Sequence, residues 1–303
     1  METIDFQGDD GKAIHLCRWM PAETPRAAVQ IAHGMGEHIA RYQRVAERLN
    51  EAGYVVYGND HRGHGHTDPD RLGDLGAGGW EAVIADARRL NERIGEEHPG
   101  CKRILLGHSM GAMLTQLYIC RHGATVDAAV LSGSPGFAGW LASIPSRLIA
   151  RIEAWRLGAD GESALMNKLL FGLANKAFSS ENATGFEWLS RDSAEVQKYV
   201  DDPLCGAILR AGSLLGLFRG AREAASPARI ANIPGTLPIY VLSGTADPVN
   251  NELRNLNRLF RRYGQASLAV TRALYEDGRH ELFNEINRRE VLDDLIAWLD
   301  GAI

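Results

Sequence analysis

The chain has 303 residues, enough for one large domain or two small ones. Apolar residues make up 45% and charged residues 23%, the ordinary balance of a globular protein. Its 33 basic and 38 acidic side chains leave a formal charge of −5, which excludes the basic footprint that a nucleic-acid backbone demands. The start, METIDFQGDDGK, lacks the basic residues and apolar run of a secretion signal. No stretch approaches the roughly 20 apolar residues of a membrane span; the strongest candidate, 207–218, is broken by Arg210, Gly212 and Gly216. Cys17, Cys101, Cys120 and Cys205 form no CxxC pair. A soluble, cytoplasmic protein with free thiols is expected.

Taken in chain order, short β-branched or aliphatic runs at 14–18, 27–32, 54–58, 103–107, 127–132, 238–243 and 267–274 predict strands. Segments of helical period lie among them at 42–52, 80–97, 110–122, 251–263 and 283–299. In the last, Ile286, Val291, Leu292, Leu295, Ile296 and Leu299 fall close to one stripe. The alternation implies an α/β fold: a mostly parallel sheet with helices on both faces. One interval breaks the rhythm. From 134 to 227 there is no convincing strand, only helical segments rich in Phe, Trp, Leu and Ile. That is too long for an ordinary loop. It reads as a helical cap of residues 134–227 over the carboxyl edge of a sheet domain formed by 1–133 and 228–303, the edge where open α/β sheets bind ligands. The plainer alternative is that these helices thicken the core.

The sharpest local signal is RILLGHSMG at 103–111: an apolar strand, then Gly107-His108-Ser109-Met110-Gly111, then a helix. This G-x-S-x-G sits in the strand–turn–helix setting of a nucleophile elbow. The serine must stand on a strained turn above the sheet, and flanking glycines leave room for the tight strand–helix crossing. The following helix points its amide dipoles at the position where negative charge develops. Such a serine needs a base and an orienting carboxylate, arriving in the order Ser, Asp or Glu, His. His280 is the only histidine after position 122, so it is the expected base. Asp247, in the turn GTADP after the strand at 238–243, is the expected acid; Asp277 is its rival, but shares a loop with His280. A second turn, HGMGEH at 33–38, follows the strand at 27–32. An HG-rich turn there supplies one backbone N–H of an oxyanion hole and the residue after the nucleophile supplies the other, which assigns Met35 and Met110.

With those residues in place, the chain resembles the monoacylglycerol lipase branch of the α/β-hydrolases, which includes lysophospholipase-like and serine aminopeptidase-like enzymes. The likeness runs nearly end to end. It is carried by HGMGEHIARY (33–42), NDHRGHGHT (59–67), GHSMGA (107–112), SRDSAEVQKYVDDPL (190–204), SGTADPV (243–249) and YEDGRHELFNE (275–285). The resemblance implies an inserted cap, and Glu37 and Arg41 near the polar head of a bound glyceride. In one departure, Phe283 stands three residues after His280, where some members carry a polar residue.

His61, His64 and His66 lie in a stretch, HRGHGHTD, that suggests a metal loop. Pro69 occupies the position of a further ligand, and a zinc site needs at least three well-placed protein ligands. A polar turn bracing its neighbours is the simpler reading. The expected function is hydrolysis of carboxylic esters, monoacylglycerol or related small acyl esters, by Ser109, His280 and Asp247 through an acyl-enzyme, with no cofactor and no metal. A peptidase or amidase on the same scaffold is the rival; it would want carboxylates on the cap, for which Glu153, Asp160 and Glu162 are available. A non-catalytic ligand receptor is the remaining alternative. The surplus of apolar residues in the cap predicts an acyl channel lined by Phe137, Trp140, Ile144, Leu214, Leu217 and Phe218. It also predicts transient contact with a lipid surface.

Overall fold

A computed structural model of the chain describes residues 1–137, 140–172, 174–178 and 183–303; the side chains of Trp140, Leu141, Ala142, Ser143, Ser146 and Phe171 lie outside that description. Eight strands form one sheet: β1 (Glu2–Gln7), β2 (Ala13–Trp19), β3 (Ala27–Ala32), β4 (Tyr54–Asn59), β5 (Lys102–His108), β6 (Ala128–Ser132), β7 (Ile239–Gly244) and β8 (Val270–Tyr275). Their spatial order is β1-β2-β4-β3-β5-β6-β7-β8. Only β1–β2 and β2–β4 are antiparallel; every pairing from β4 to β8 is parallel.

The parallel centre explains the sequence of its strands. β3, β4, β6 and β7 are buried at every position, as strands covered on both faces must be. Neighbouring residues feed opposite cores. Ile104, Leu106, Val130, Tyr240 and Leu242 pack with α1 (Gln43–Glu51) and the C-terminal helix, through Val45, Leu49, Val291 and Leu295. Leu105, Leu131 and Val241 pack on the other face with α2 (Gly79–Glu97) and α3 (Met110–His122), through Val83, Leu114 and Leu117.

Between β6 and β7 the described residues hold no strand. They form α4 (Trp140–Leu157), α5 (Ala164–Asn167), α6 (Ser193–Asp201), α7 (Ala211–Ala224) and α8 (Pro227–Ile230). Local chemistry starts these helices. The Ser163 side chain accepts the Met166 N–H, Asp192 accepts that of Ala194, and Pro227 occupies the first turn of α8. α7 is fastened to the sheet side: Ser213 Oγ accepts the Leu75 N–H at 3.0 Å, and the Arg210 N–H donates to the Gly73 carbonyl at 2.8 Å. After β7 come α9 (Arg254–Gln265) and α10 (Arg288–Ala302). Both begin later than their apolar patterns suggest. Asn251, Glu252 and Leu253 carry φ values of 55°, 52° and 64°, left-handed backbone that no right-handed helix can include. Phe283 sits in a separate single turn, Leu282–Asn284, ahead of α10. No helix among the described residues is long and apolar enough to cross a membrane.

Candidate active site

β5 delivers Ser109 at the carboxyl edge of the sheet, in the turn before α3. Its φ of 53° and ψ of −111° are strained for any residue with a side chain. The strain is held by packing. The Ser109 N–H donates to the Ser132 carbonyl at 2.9 Å. A Cβ on Gly111 would run into the carbonyl oxygen of Ala32, so only glycine lets α3 approach β3 this closely.

The partners arrive from two later strand ends. After β7, the Asp247 side chain accepts the Val249 N–H at 2.9 Å and stays fully buried. After β8, the loop carrying His280 closes onto Gly244, where a Cβ would strike the Gly278 carbonyl. The His280 N–H donates to the Trp188 carbonyl at 3.3 Å, and the two rings lie 5.0 Å apart. His280 Nδ1 is 2.9 Å from Asp247 Oδ2, and Nε2 is 2.8 Å from Ser109 Oγ. A carboxylate only accepts, so Nδ1 carries the proton and Nε2 is left to accept from the serine hydroxyl. Burial alone pulls the His280 pKa down, but the charge and hydrogen bond of Asp247 outweigh it, and the net shift is upward. Asp277, the rival acid, is exposed and among the described residues makes no hydrogen bond to His280, while its backbone N–H donates to Thr245 Oγ1 at 2.9 Å.

Ser109 opens into a cavity of about 790 Å³. Met35 and Met110 line it, as do Phe137, Leu214, Leu217 and Phe218 from the candidate list. Ile144 does not; it is 40% exposed on the outer face of α4. Trp140 lies outside the described side chains. Met113, Leu169, Leu170, Trp188 and Val249 also line the cavity, as do Arg147, Arg222 and Arg262; of the arginines, Arg147 and Arg222 did not stand out in the sequence. Arg147 and Arg222 carried no signal because each punctuates an ordinary amphipathic helix, and the pair Arg261-Arg262 reads as a helix C-terminal end.

Glu37 and Arg41 are placed differently from the expectation. They border a separate recess of about 10 Å³ with His108, Glu281 and Phe283, room for a single water at most. Glu37 Oε1 accepts the Gly34 N–H at 2.6 Å and the Tyr42 hydroxyl at 2.9 Å, while Oε2 takes Arg41 at 2.7 Å. The Arg41 guanidinium also grips both oxygens of Glu281, each at 2.7 Å. Burial opposes ionisation of Glu281, yet Arg41 holds its pKa at about 2. These charges therefore tie the loop carrying Met35 to the loop carrying His280. Within the described residues these charges are satisfied by one another as a buried cluster.

The histidine-rich turn after β4 lies beneath the same loop. The His61 N–H donates to His33 Nε2 at 2.9 Å, and the His61 and His64 rings sit 4.1 Å and 5.2 Å from that of His33. Burial lowers the pKa of His61 to about 3, so the ring packs as a neutral plate under the turn.

Comparison with known proteins fits this geometry. Residues 23–287 match the model of the serine aminopeptidase S33 hydrolase family. The chain belongs to this family. It is 32% identical to a monoacylglycerol lipase of Mycolicibacterium smegmatis over 97% of this chain and 95% of that one. It is 27% identical to the monoglyceride lipase of Mus musculus over 97% of this chain and 89% of the relative. Among solved structures, a thermostable carboxyl esterase from Bacillus coagulans superposes with a TM-score of 0.90 at 26% identity, covering 99% and 98% of the two chains. The fold is that of the α/β-hydrolases, and along nearly its whole length the chain is monoacylglycerol lipase-like.

Proposed function

We propose that the protein hydrolyses carboxylic esters of acyl chains, monoacylglycerols among them, through an acyl-enzyme on Ser109. The observation that carries this reading is the unbroken run of hydrogen bonds from Asp247 through His280 to Ser109 at the floor of an apolar cavity. Ser109 Oγ attacks the acyl carbonyl carbon while His280 Nε2 takes its proton. The backbone N–H groups of Met35 and Met110 stabilise the resulting oxyanion. As the ester C–O bond breaks, His280 returns the proton to the leaving alcohol. A water deprotonated by His280 then attacks the acyl carbon, and the carboxylic acid departs with Ser109 restored.

An ester fits the cavity better than a peptide amino terminus does. No carboxylate lines it among the described residues, whereas three arginines do. Glu153 is taken up by Arg156 and Ser163, and Asp160 and Glu162 are 72% and 78% exposed. A free ammonium would meet like charge there. We further propose that residues 134–227 act as a cap carrying the acyl specificity. Ile144, Leu148, Ile152 and Trp155, exposed along one stripe of α4, would give that cap its transient contact with a lipid surface.

The direct test is Ser109→Ala assayed on a p-nitrophenyl ester, with fluorophosphonate labelling of the unaltered chain. Loss of turnover by at least about 10⁴-fold, and labelling that Ser109→Ala abolishes, are expected. Full activity in the variant would refute the reading.

A further inference from the structure

The cavity of Ser109 does not end in an apolar wall. Arg147, Phe218, Arg222 and Ser226 belong both to its lining and to an adjoining outer groove of about 710 Å³, so they mark the place where the two meet. That groove adds Arg151 and Arg219. Its carboxylate, Glu223, is already held by Arg121 at 2.6 Å and by Arg229 at 3.1 Å. Among the described residues Arg147, Arg151, Arg219 and Arg222 make no ion pair. Arg262, the third arginine of the cavity, is engaged differently: it donates to the Ala225 carbonyl and lies 5.5 Å over the Phe137 ring. Four unneutralised guanidiniums thus collect where an apolar passage, walled by Leu214, Leu217 and Phe218, opens outward. Arg151, Arg219 and Arg222 are exposed and Arg147 is half-buried, so their guanidiniums are free to meet an anion that reaches the opening.

We propose that this mouth selects acyl esters whose chain ends in an anionic group, half-esters of medium-chain dicarboxylic acids being the simplest case. The inference rests on the ester hydrolysis proposed above and names its substrate class more closely. The apolar passage takes the methylenes, the scissile carbonyl reaches Ser109, and the terminal carboxylate meets Arg147 and Arg222. Water and half-ester give diacid and alcohol by the same two steps. Because the cavity that holds Ser109 is lined by Leu214, Leu217 and Phe218 as well as by the arginines, the proposal puts the anion on the apolar acyl arm, not on the alcohol.

The test compares p-nitrophenyl octanoate with mono-p-nitrophenyl suberate, both as monomers in solution, on the full chain. In the Arg147→Gln/Arg222→Gln variant the ratio of kcat/KM for suberate over octanoate should fall about tenfold, mostly through KM. On the unaltered chain the same ratio should fall as salt rises from about 0.02 M to about 0.5 M, a measurement that needs no variant to fold. A ratio that ignores both salt and substitution overturns the proposal. An octanoate ester of glycolate places the carboxylate on the alcohol arm; if the variant penalises that ester instead, the acyl assignment is wrong. If the ratio holds while binding to phosphatidylglycerol vesicles is lost, the arginines serve a lipid surface and the proposal again fails. Hydrolysis of neither p-nitrophenyl ester would instead bring down the ester-hydrolase reading, and this inference with it.

Discussion

The turn bearing Ser109 and the helix α4 bordering its cavity are packed in opposite ways. Around Ser109 the neighbours His108, Met110, Gly111 and Ala112 are all buried, and the backbone sits in a strained conformation that its contacts enforce. Along α4, Leu148, Ile152 and Trp155 stand 56%, 50% and 87% exposed. The geometry that reacting atoms need is built on strand ends, where burial on both faces leaves no freedom. α4, which borders the cavity, instead leaves a stripe of apolar side chains open to solvent, while Leu214 and Leu217 of α7 are buried in the core. Chemistry and selectivity should therefore respond to substitution on different scales, and each can be perturbed without the other.

The largest effect belongs to the strand-end group. Asp247→Asn keeps the shape but favours the wrong imidazole tautomer, and kcat on a p-nitrophenyl ester should drop by about 10⁴-fold, the loss typical of such triads. The pH profile sharpens this. Only neutral His280 can take the serine proton, so activity is lost as pH falls through its pKa. Burial lowers that pKa and Asp247 more than restores it, so the acid limb of kcat/KM should lie above the ordinary histidine value. Residual activity of Asp247→Asn should show the limb moved to lower pH. A limb unmoved by the substitution would mean that Asp247 does not set the titration.

Next comes Arg41→Ala, which strands the carboxylates of Glu37 and Glu281. Urea unfolding should show a loss of about 3–5 kcal/mol, the cost of leaving a buried pair without its partner. Gly111→Ala forces α3 away from β3 and should cost about 1–3 kcal/mol, with kcat falling further than stability as Ser109 shifts. On the selectivity side, each methylene from acetate to octanoate esters should raise kcat/KM up to about fourfold, following about 0.8 kcal/mol per buried carbon. A flat series would show the passage to be short. The smallest effect is expected at Trp155→Ser: folding stability within about 0.5 kcal/mol of the parent, with weaker adsorption to lipid vesicles. A larger loss of stability would show that the ring packs, contrary to its exposure.

Much of this was legible because the central strands and the Ser109 turn obey local rules. β3 and α3 span the residues their patterns predict, since full burial and helical period leave one reading. β1 escaped because it pairs on one side only and buries a single side chain, Phe6, so ETIDFQ shows no apolar run. The starts of α9 and α10 escaped because left-handed backbone at 251–253 and a separate turn at 282–284 are tertiary decisions. Glu37 and Arg41 looked like ligands of a polar substrate; nothing local discloses Glu281, 240 positions beyond Arg41, as the third member of their cluster. Arg147 and Arg222 are the converse case. Each is unremarkable on its own helix, and only folding brings them to one opening.

The pairing of β6 with β7 has a consequence for how such a molecule changes. Ala129 lies in register with Ile239, so the whole run of α4 to α8 is looped out between two adjacent strands. The entropy of closing a flexible loop grows only with the logarithm of its length, about 0.6 kcal/mol for each doubling. To strand pairing, then, the excursion's length is nearly indifferent. α7, whose Leu214 and Leu217 are part of the core, is constrained, but the segments before it can be lengthened or exchanged while β6 still finds β7. Substrate range can thus drift in a lineage, or be grafted in the laboratory, without reopening the problem of how the sheet assembles.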